Sequence, residues 1–297
     1  MRGELIWVYE GLTDYLGTVL AARSGLRTAE QTREQIAAVA SMLDHRAGSS
    51  WRSLQDVSDS AQVLYFAPPE WMSYRRGTDF YTESVLLWLE VDVTIRKLTQ
   101  DQRSMNDFCK IFYGGPDGLP VIKPYVFEDI VSTLNQVAPY DWRTFLRQRL
   151  DSLGPHAPLR GITGGGWDLV NTDMANEIHA ARHALSGGGD YTASLGMVVK
   201  SDGTIQDVIP GMAAEHAGLS PFMKIISVGG RQFSIEELSR AVQESHSATG
   251  PIAILASNTG TIEHHDITYR DGTREPHLKR NEGTTDYLDD ILKPLAK

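Results

Sequence analysis

Residues 203–219 read Gly203-Thr-Ile-Gln-Asp-Val208-Ile-Pro210-Gly211-Met-Ala213-Ala214-Glu-His-Ala217-Gly218-Leu219. A short β-rich run delivers Val208, Pro210-Gly211 turns the chain, and Ala213-Ala214 opens a helix that Ala217-Gly218-Leu219 closes. Lys224–Gly230 then supplies the next strand and turn. Around this unit lie further short β-rich runs at 195–199, 205–208, 225–228, 252–256 and 263–269. One good helix, 234–243, interrupts them, with Ser234 as N-cap and Glu237 three residues on as the partner of a capping box. Several short strands around one or two helices describe a small, partly open β-barrel over residues 190–275.

Residues 1–153 have a different texture. Between Glu4 and Ser24 the apolar residues Leu5, Val8, Tyr9, Leu12, Tyr15, Leu16, Val19 and Leu20 recur at helical spacing, and Gly25 ends the run. Thr28 caps a second helix to about Arg46, and Ser53 a short one. A long helix is expected from near Gly77 to Lys97. Ser104 and Asp141 are N-cap candidates before 105–112 and 142–150, with another helix over 127–137 between them. Residues 154–189 hold the Gly161–Gly166 and Gly187–Gly189 clusters and read as a connecting segment, and 276–297 as a C-terminal extension. The fold class is therefore α+β, a helical part followed by a small β module.

The bulk numbers exclude several roles. A net charge of −10 over 297 residues argues against a nucleic-acid partner, because phosphate binding needs a basic surface. No run approaches the ~20 apolar residues of a membrane span. The single cysteine, Cys109, sits in an apolar helical run, and a small buried thiol is the plainer reading beside a reactive one.

Two stretches carry a family resemblance. The 203–219 run followed by Lys224–Gly230 resembles the bacterial PDZ signature, departing from it at Phe222, where a glycine is usual. PDZ domains add an extended peptide as a strand beside a helix. The resemblance implies a carboxylate-binding loop at Ser194, Leu195, Gly196 and Met197, and a groove wall at 234–243. A docked scaffold whose groove is filled by its own chain is the alternative. At the front, Trp7-Val-Tyr-Glu10-Gly-Leu-Thr13-Asp-Tyr15 resembles the W-x-x-E-G-x-T-x-Y helix of gluzincin metallopeptidases, specifically the PDZ-bearing glycyl aminopeptidases. Ser73-Tyr74-Arg-Arg-Gly77, Leu89–Thr99, Ser104–Asp107, Arg274–Arg280 and Thr285–Pro294 extend the similarity along the chain.

The resemblance implies that Glu10 is a zinc ligand and that Tyr74 stabilises the transition state. Without it, a glutamate on the polar side of an amphipathic helix is simply solvated. The family's other ligands are the histidines of H-E-x-x-H, whose glutamate is the general base. None of the nine histidines begins that motif. His179 and His183 could share a helical face, but the residues between them offer no general base and a surface helix is the plainer reading. His264 and His265 would point to opposite faces of a strand. The expectation is a C-terminal piece of a zinc aminopeptidase, with Met1 or Met1-Arg2 an artificial start, or else a natural short form. It would hold no zinc and show no peptidase activity alone. The alternative is a non-catalytic scaffold that presents a PDZ-like groove to peptide termini. Peptides or proteins are the expected partners, and the resemblance favours an extracytoplasmic bacterial setting.

Overall fold

The structure is a computed structural model that describes residues 3–115 and 122–294. The helical part comprises α1 (Ile6–Arg23), α2 (Ala29–Asp44), α3 (Leu54–Asp59), α4 (Ala61–Leu64), α5 (Met72–Arg75), α6 (Asp79–Leu98), α7 (Met105–Phe112), α8 (Phe127–Val137) and α9 (Trp142–Leu150). Their starts follow from side-chain chemistry. Thr28, Ser53, Ser104 and Asp141 each accept a backbone N–H of the first turn, and Thr28 and Ser104 complete capping boxes with Gln31 and Asp107. Gly25, at φ +78°, carries the chain out of α1 in the left-handed region that glycine tolerates.

The remaining elements are α10 (Arg160–Gly164), β1 (Trp167–Thr172), α11 (Glu177–Ser186), β2 (Gly189–Tyr191), β3 (Met197–Val199) and β4 (Ile205–Val208). After them come α12 (Ala213–His216), β5 (Lys224–Val228), β6 (Arg231–Gln232), α13 (Ile235–Glu244), β7 (Ile252–Asn258), β8 (Thr261–Ile267), β9 (Glu275–Arg280) and α14 (Tyr287–Leu292). Ser234 caps α13 by accepting the Glu237 N–H, but the Glu237 carboxylate pairs with Arg240 instead of returning to the cap.

Two apolar cores result among the described residues. The second gathers Leu195, Met197, Ile205, Val208, Ile225, Leu238, Val242 and Ile254 from the small module. Its strands form a three-stranded sheet, β2-β3-β4, and a four-stranded sheet, β6-β5-β7-β8, joined by a bridge between Thr204 and Lys224. Among the described residues no barrel closes.

The first core belongs to the helices, and it takes in more than residues 1–153. Residues 154–189, read as a connection, hold α10, β1 and α11. Strand β1 pairs antiparallel with β9, so the chain returns from the small module to the helical part. Leu278, Leu288, Ile291 and Leu292 then pack in the same core as Trp7, Trp88 and Trp142. The small module is fastened to the helices by polar contacts. Asp207 accepts the Ser73 N–H at 2.7 Å and its hydroxyl at 3.0 Å, and Lys200 meets Glu70 at 3.0 Å. Cys109 is half-buried, and burial pushes its thiol up to about 11, outside the range of a reactive thiolate. Among the described residues no helix is long and apolar enough to cross a membrane.

Candidate functional site

Glu10 owes its position to the way α1 crosses α6. The two helices meet at Gly11, where a side chain is excluded: a Cβ there would lie 2.2 Å from the Ser84 Cβ and 2.8 Å from the Phe80 carbonyl oxygen. Trp7 stacks on Trp88 at 5.6 Å, and the Trp88 indole N–H donates to the Trp7 carbonyl at 3.1 Å. Farther along, the buried Tyr15 hydroxyl donates to Asp92 at 2.7 Å. Asp92 also accepts from Arg96 and from the Met105 N–H, which ties α1, α6 and α7 into one frame.

With Trp7, Gly11 and Tyr15 turned to the core, half-buried Glu10 faces the start of α6. It lies near enough to Tyr81 for its charge to act on that phenol. Burial pushes the Tyr81 phenol well above its ordinary range, and hydrogen bonding to Tyr65 and the Glu10 carboxylate charge push it further. Asp14, one turn on from Glu10, is also raised, by burial first and then by the Glu10 charge. A carboxylate, a protonated phenol and a second carboxylate thus share one surface of the α1–α6 pair.

Tyr74 sits on a different helix. It is half-exposed on α5 and packs against Trp51 with ring centroids 5.6 Å apart. The arginine two residues on, Arg76, is a buried ion-pair centre joined to Asp79 and Glu83. Burial, with help from Asp79, raises Glu83 to about 7 despite Arg76 beside it. Tyr81 does not stand out in the sequence. Its signal was a small residue, Ser84, one helical turn after the phenol on a helix that had to pack against Gly11.

Among the described residues no group of three or more His, Cys, Asp or Glu could hold a metal ion. A protein zinc site takes three or four protein ligands, and Glu10 offers one carboxylate. This donor set fits one position of a zinc site and does not complete it.

His179 and His183 are already engaged. His179 sits between Glu275, at 2.7 Å, and Asp190, at 3.5 Å, and the Asp190 N–H donates to His183 Nε2 at 2.8 Å. Burial pulls the His179 pKa down, but the two carboxylates outweigh it and raise it to about 9. Asp190 is pushed up by burial and, more strongly, down by His179 and Thr192, to about 2.

The sign of the linkage follows. The His179 contribution is whole below pH 6.5, its unfolded value, and is lost as pH rises through 9. The Asp190 contribution is whole above pH 3.8 and is lost as pH falls through 2. Wild-type stability is therefore expected to fall by up to ~3 kcal/mol between pH 6.5 and 9.5. In His179→Gln that slope should flatten, as urea titrations across the window would show. An unchanged slope would remove the pair from the stability account. Ser194, Leu195, Gly196 and Met197 are all buried at the turn between β2 and β3.

Comparison with known proteins bears on the helical part and on the fold. Residues 1–87 match the family model described as M61 glycyl aminopeptidase. No curated protein matches the chain. The fold is similar to the crystal structure of an aminopeptidase N family protein from Idiomarina loihiensis, with a TM-score of 0.69 and 18% sequence identity. That similarity covers 99% of this chain and 49% of the other, so the chain spans about half the length of that protein.

Proposed function

We propose that this chain supplies the glutamate-bearing half of a zinc aminopeptidase site, with Glu10 as metal ligand and Tyr81 as the phenol that hydrogen-bonds the developing oxyanion. The observation that carries this is the place of Glu10 on α1 beside the Gly11–Ser84 crossing, inside the stretch that matches the glycyl aminopeptidase model, with the Tyr81 phenol near enough to feel its charge. The two histidines and the base glutamate of H-E-x-x-H must come from residues other than these 297. Zinc would supply an activated water and polarise the peptide carbonyl. The residues here would hold one side of the ion and keep a phenolic proton beside it. A phenol whose pKa is raised stays protonated at working pH and remains a donor.

The outer side of α1 favours the same reading. Tyr9 and Leu20 are 60% and 55% exposed on it, and Leu26 lies beyond its end at 85%. An apolar helix surface beside a half-buried carboxylate is what a second half of the site would cover.

The test is a chimera joining these residues to a segment that bears H-E-x-x-H, assayed for zinc content and for release of N-terminal glycine. Glu10→Gln should lose the metal. Tyr81→Phe should keep it and lose about 10²- to 10³-fold in kcat, the scale of one missing oxyanion donor. Tyr74→Phe tests the tyrosine that the resemblance singles out, and a comparable loss there would move the role from Tyr81 to Tyr74. The 297-residue chain alone should show no zinc-dependent release, and robust release would refute the half-site reading.

A further inference from the structure

In a β-addition groove, a ligand strand pairs with an exposed strand edge and its terminal carboxylate is caught by backbone N–H groups. In the small module the corresponding edge belongs to β3. One side of β3 pairs with β4. The other is taken by β2, antiparallel, with Gly189 opposite Val199, Asp190 opposite Val198 and Tyr191 opposite Met197. The N–H groups of Ser194 and Gly196 converge on the Tyr191 carbonyl at 3.1 and 2.9 Å, and the Ser194 hydroxyl reaches the same oxygen at 3.3 Å.

The side chains complete the picture. Tyr191 is buried, and its hydroxyl spans to α13, donating to the Ile235 carbonyl at 3.2 Å and bonding Ser239 at 2.8 Å. Gly196, at φ +76°, fixes the turn, and Met212 lies where any side chain on it would project. Asp190, the middle residue of the strand, is held from outside by the histidines of α11.

We propose that this module is internally liganded: Gly189–Tyr191 takes the place of a bound peptide strand, with the Tyr191 carbonyl standing where a terminal carboxylate would be caught. The groove therefore clamps its own chain and takes no peptide in trans. The clamp has a structural consequence. Strand β2 follows α11 directly, and α11 is bound to the helical part through Asn176, which donates to the Glu34 and Pro276 carbonyls. Filling the groove thus fixes the small module against α2 and β9. This inference stands apart from the roles of Glu10 and Tyr81.

The tether explains why a free peptide loses. A ligand on a short loop acts at an effective concentration in the millimolar range or above, so a micromolar competitor is excluded. A groove that is almost always closed lowers apparent affinity by its open fraction.

The experiment uses the whole 297-residue chain and dye-labelled decapeptides ending in Gly-Asp-Tyr, one with a free terminal carboxylate and one amidated. Fluorescence anisotropy should show neither peptide bound by wild type. Tyr191→Gly, which removes the anchor on α13, should bind the carboxylate peptide at least about 100-fold more tightly than wild type, and the amidated peptide more weakly than the carboxylate one, because its carbonyl accepts the same N–H groups without the charge. Equal binding by wild type and variant overturns the proposal, as does a folded variant that binds neither. Should the variant fail to fold, hydrogen exchange of wild type decides. Ser194 and Gly196 amides that exchange as slowly as the module's central strands support the clamp, and exchange within seconds overturns it.

Discussion

Gly11→Ala is expected to lower the unfolding free energy by about 3 kcal/mol, a large loss for a single methyl group. In an exposed helix the same change stabilises by up to ~1 kcal/mol, because alanine is the better helix former. Here the sign reverses. The new Cβ would lie 2.2 Å from the Ser84 Cβ, 2.7 Å from its Oγ and 2.8 Å from the Phe80 carbonyl oxygen. The last of these is helix backbone and cannot rotate away, so α1 and α6 must separate. Separation loosens the Trp7–Trp88 stack and moves Glu10 from Tyr81, coupling a stability defect to the loss of the proposed zinc geometry.

The partner residue gives the control. The Ser84 Oγ is buried without a hydrogen-bond partner among the described residues. Ser84→Ala should therefore be neutral or stabilising by ~1 kcal/mol. Combined with Gly11→Ala, Ser84→Gly should recover part of the loss and not all of it, since the Phe80 carbonyl remains. Chemical denaturation of the single and double variants measures the coupling. Purely additive effects would show that the crossing is not the cause.

The same crossing explains what the sequence could and could not disclose. Helical periodicity from Glu4 to Ser24 identified α1, but α1 is apolar nearly all round, and such a pattern does not say which side faces inward. Tyr9 and Leu20 belong to the apolar run at helical spacing yet lie mostly exposed, while Trp7, Gly11 and Thr18 face the core. Of the two glycines of α1, Gly11 marks the close approach and Gly17 is exposed, so only the packed structure shows which one faces inward. Tyr74 stands out in the sequence by its Tyr-x-Arg-Gly setting. Tyr81 becomes visible only once α6 is laid across α1, because the contact joins residues distant in sequence. The β1–β9 pair escaped for a related reason. Every residue of β1 is half-buried, so it shows no in-out alternation, and its partner lies beyond the whole small module. By contrast, the caps at Thr28, Ser53, Ser104, Asp141 and Ser234 were legible, because an N-cap is a local bond between residues two or three apart.

Asp92→Ala is expected to be the most damaging polar substitution in the helical part, costing 3–5 kcal/mol by analogy with broken buried ion pairs. Asp92 is 1% exposed, and its two oxygens serve the Tyr15 hydroxyl, the Arg96 guanidinium and the Met105 N–H. Alanine would leave a phenol, a backbone donor and a mostly buried cation without this acceptor; Arg96 would keep only the more exposed Asp101. Asp92→Asn should fall between. Its carbonyl can still accept from Met105 and its amide can donate to Tyr15, but the charge opposite Arg96 is gone. The uncompensated cation can be separated from the lost packing by a double variant. If the guanidinium carries much of the penalty, Asp92→Leu with Arg96→Met should cost less than Asp92→Leu alone, because an apolar pair replaces an unpaired charge. A double variant worse than the sum of its parts would instead assign the loss to Tyr15 and Met105. In either case Tyr15 ties the effect to Glu10. The network fixes the register of the helix that presents the carboxylate, so in the chimera Asp92→Ala should weaken zinc retention without removing a ligand.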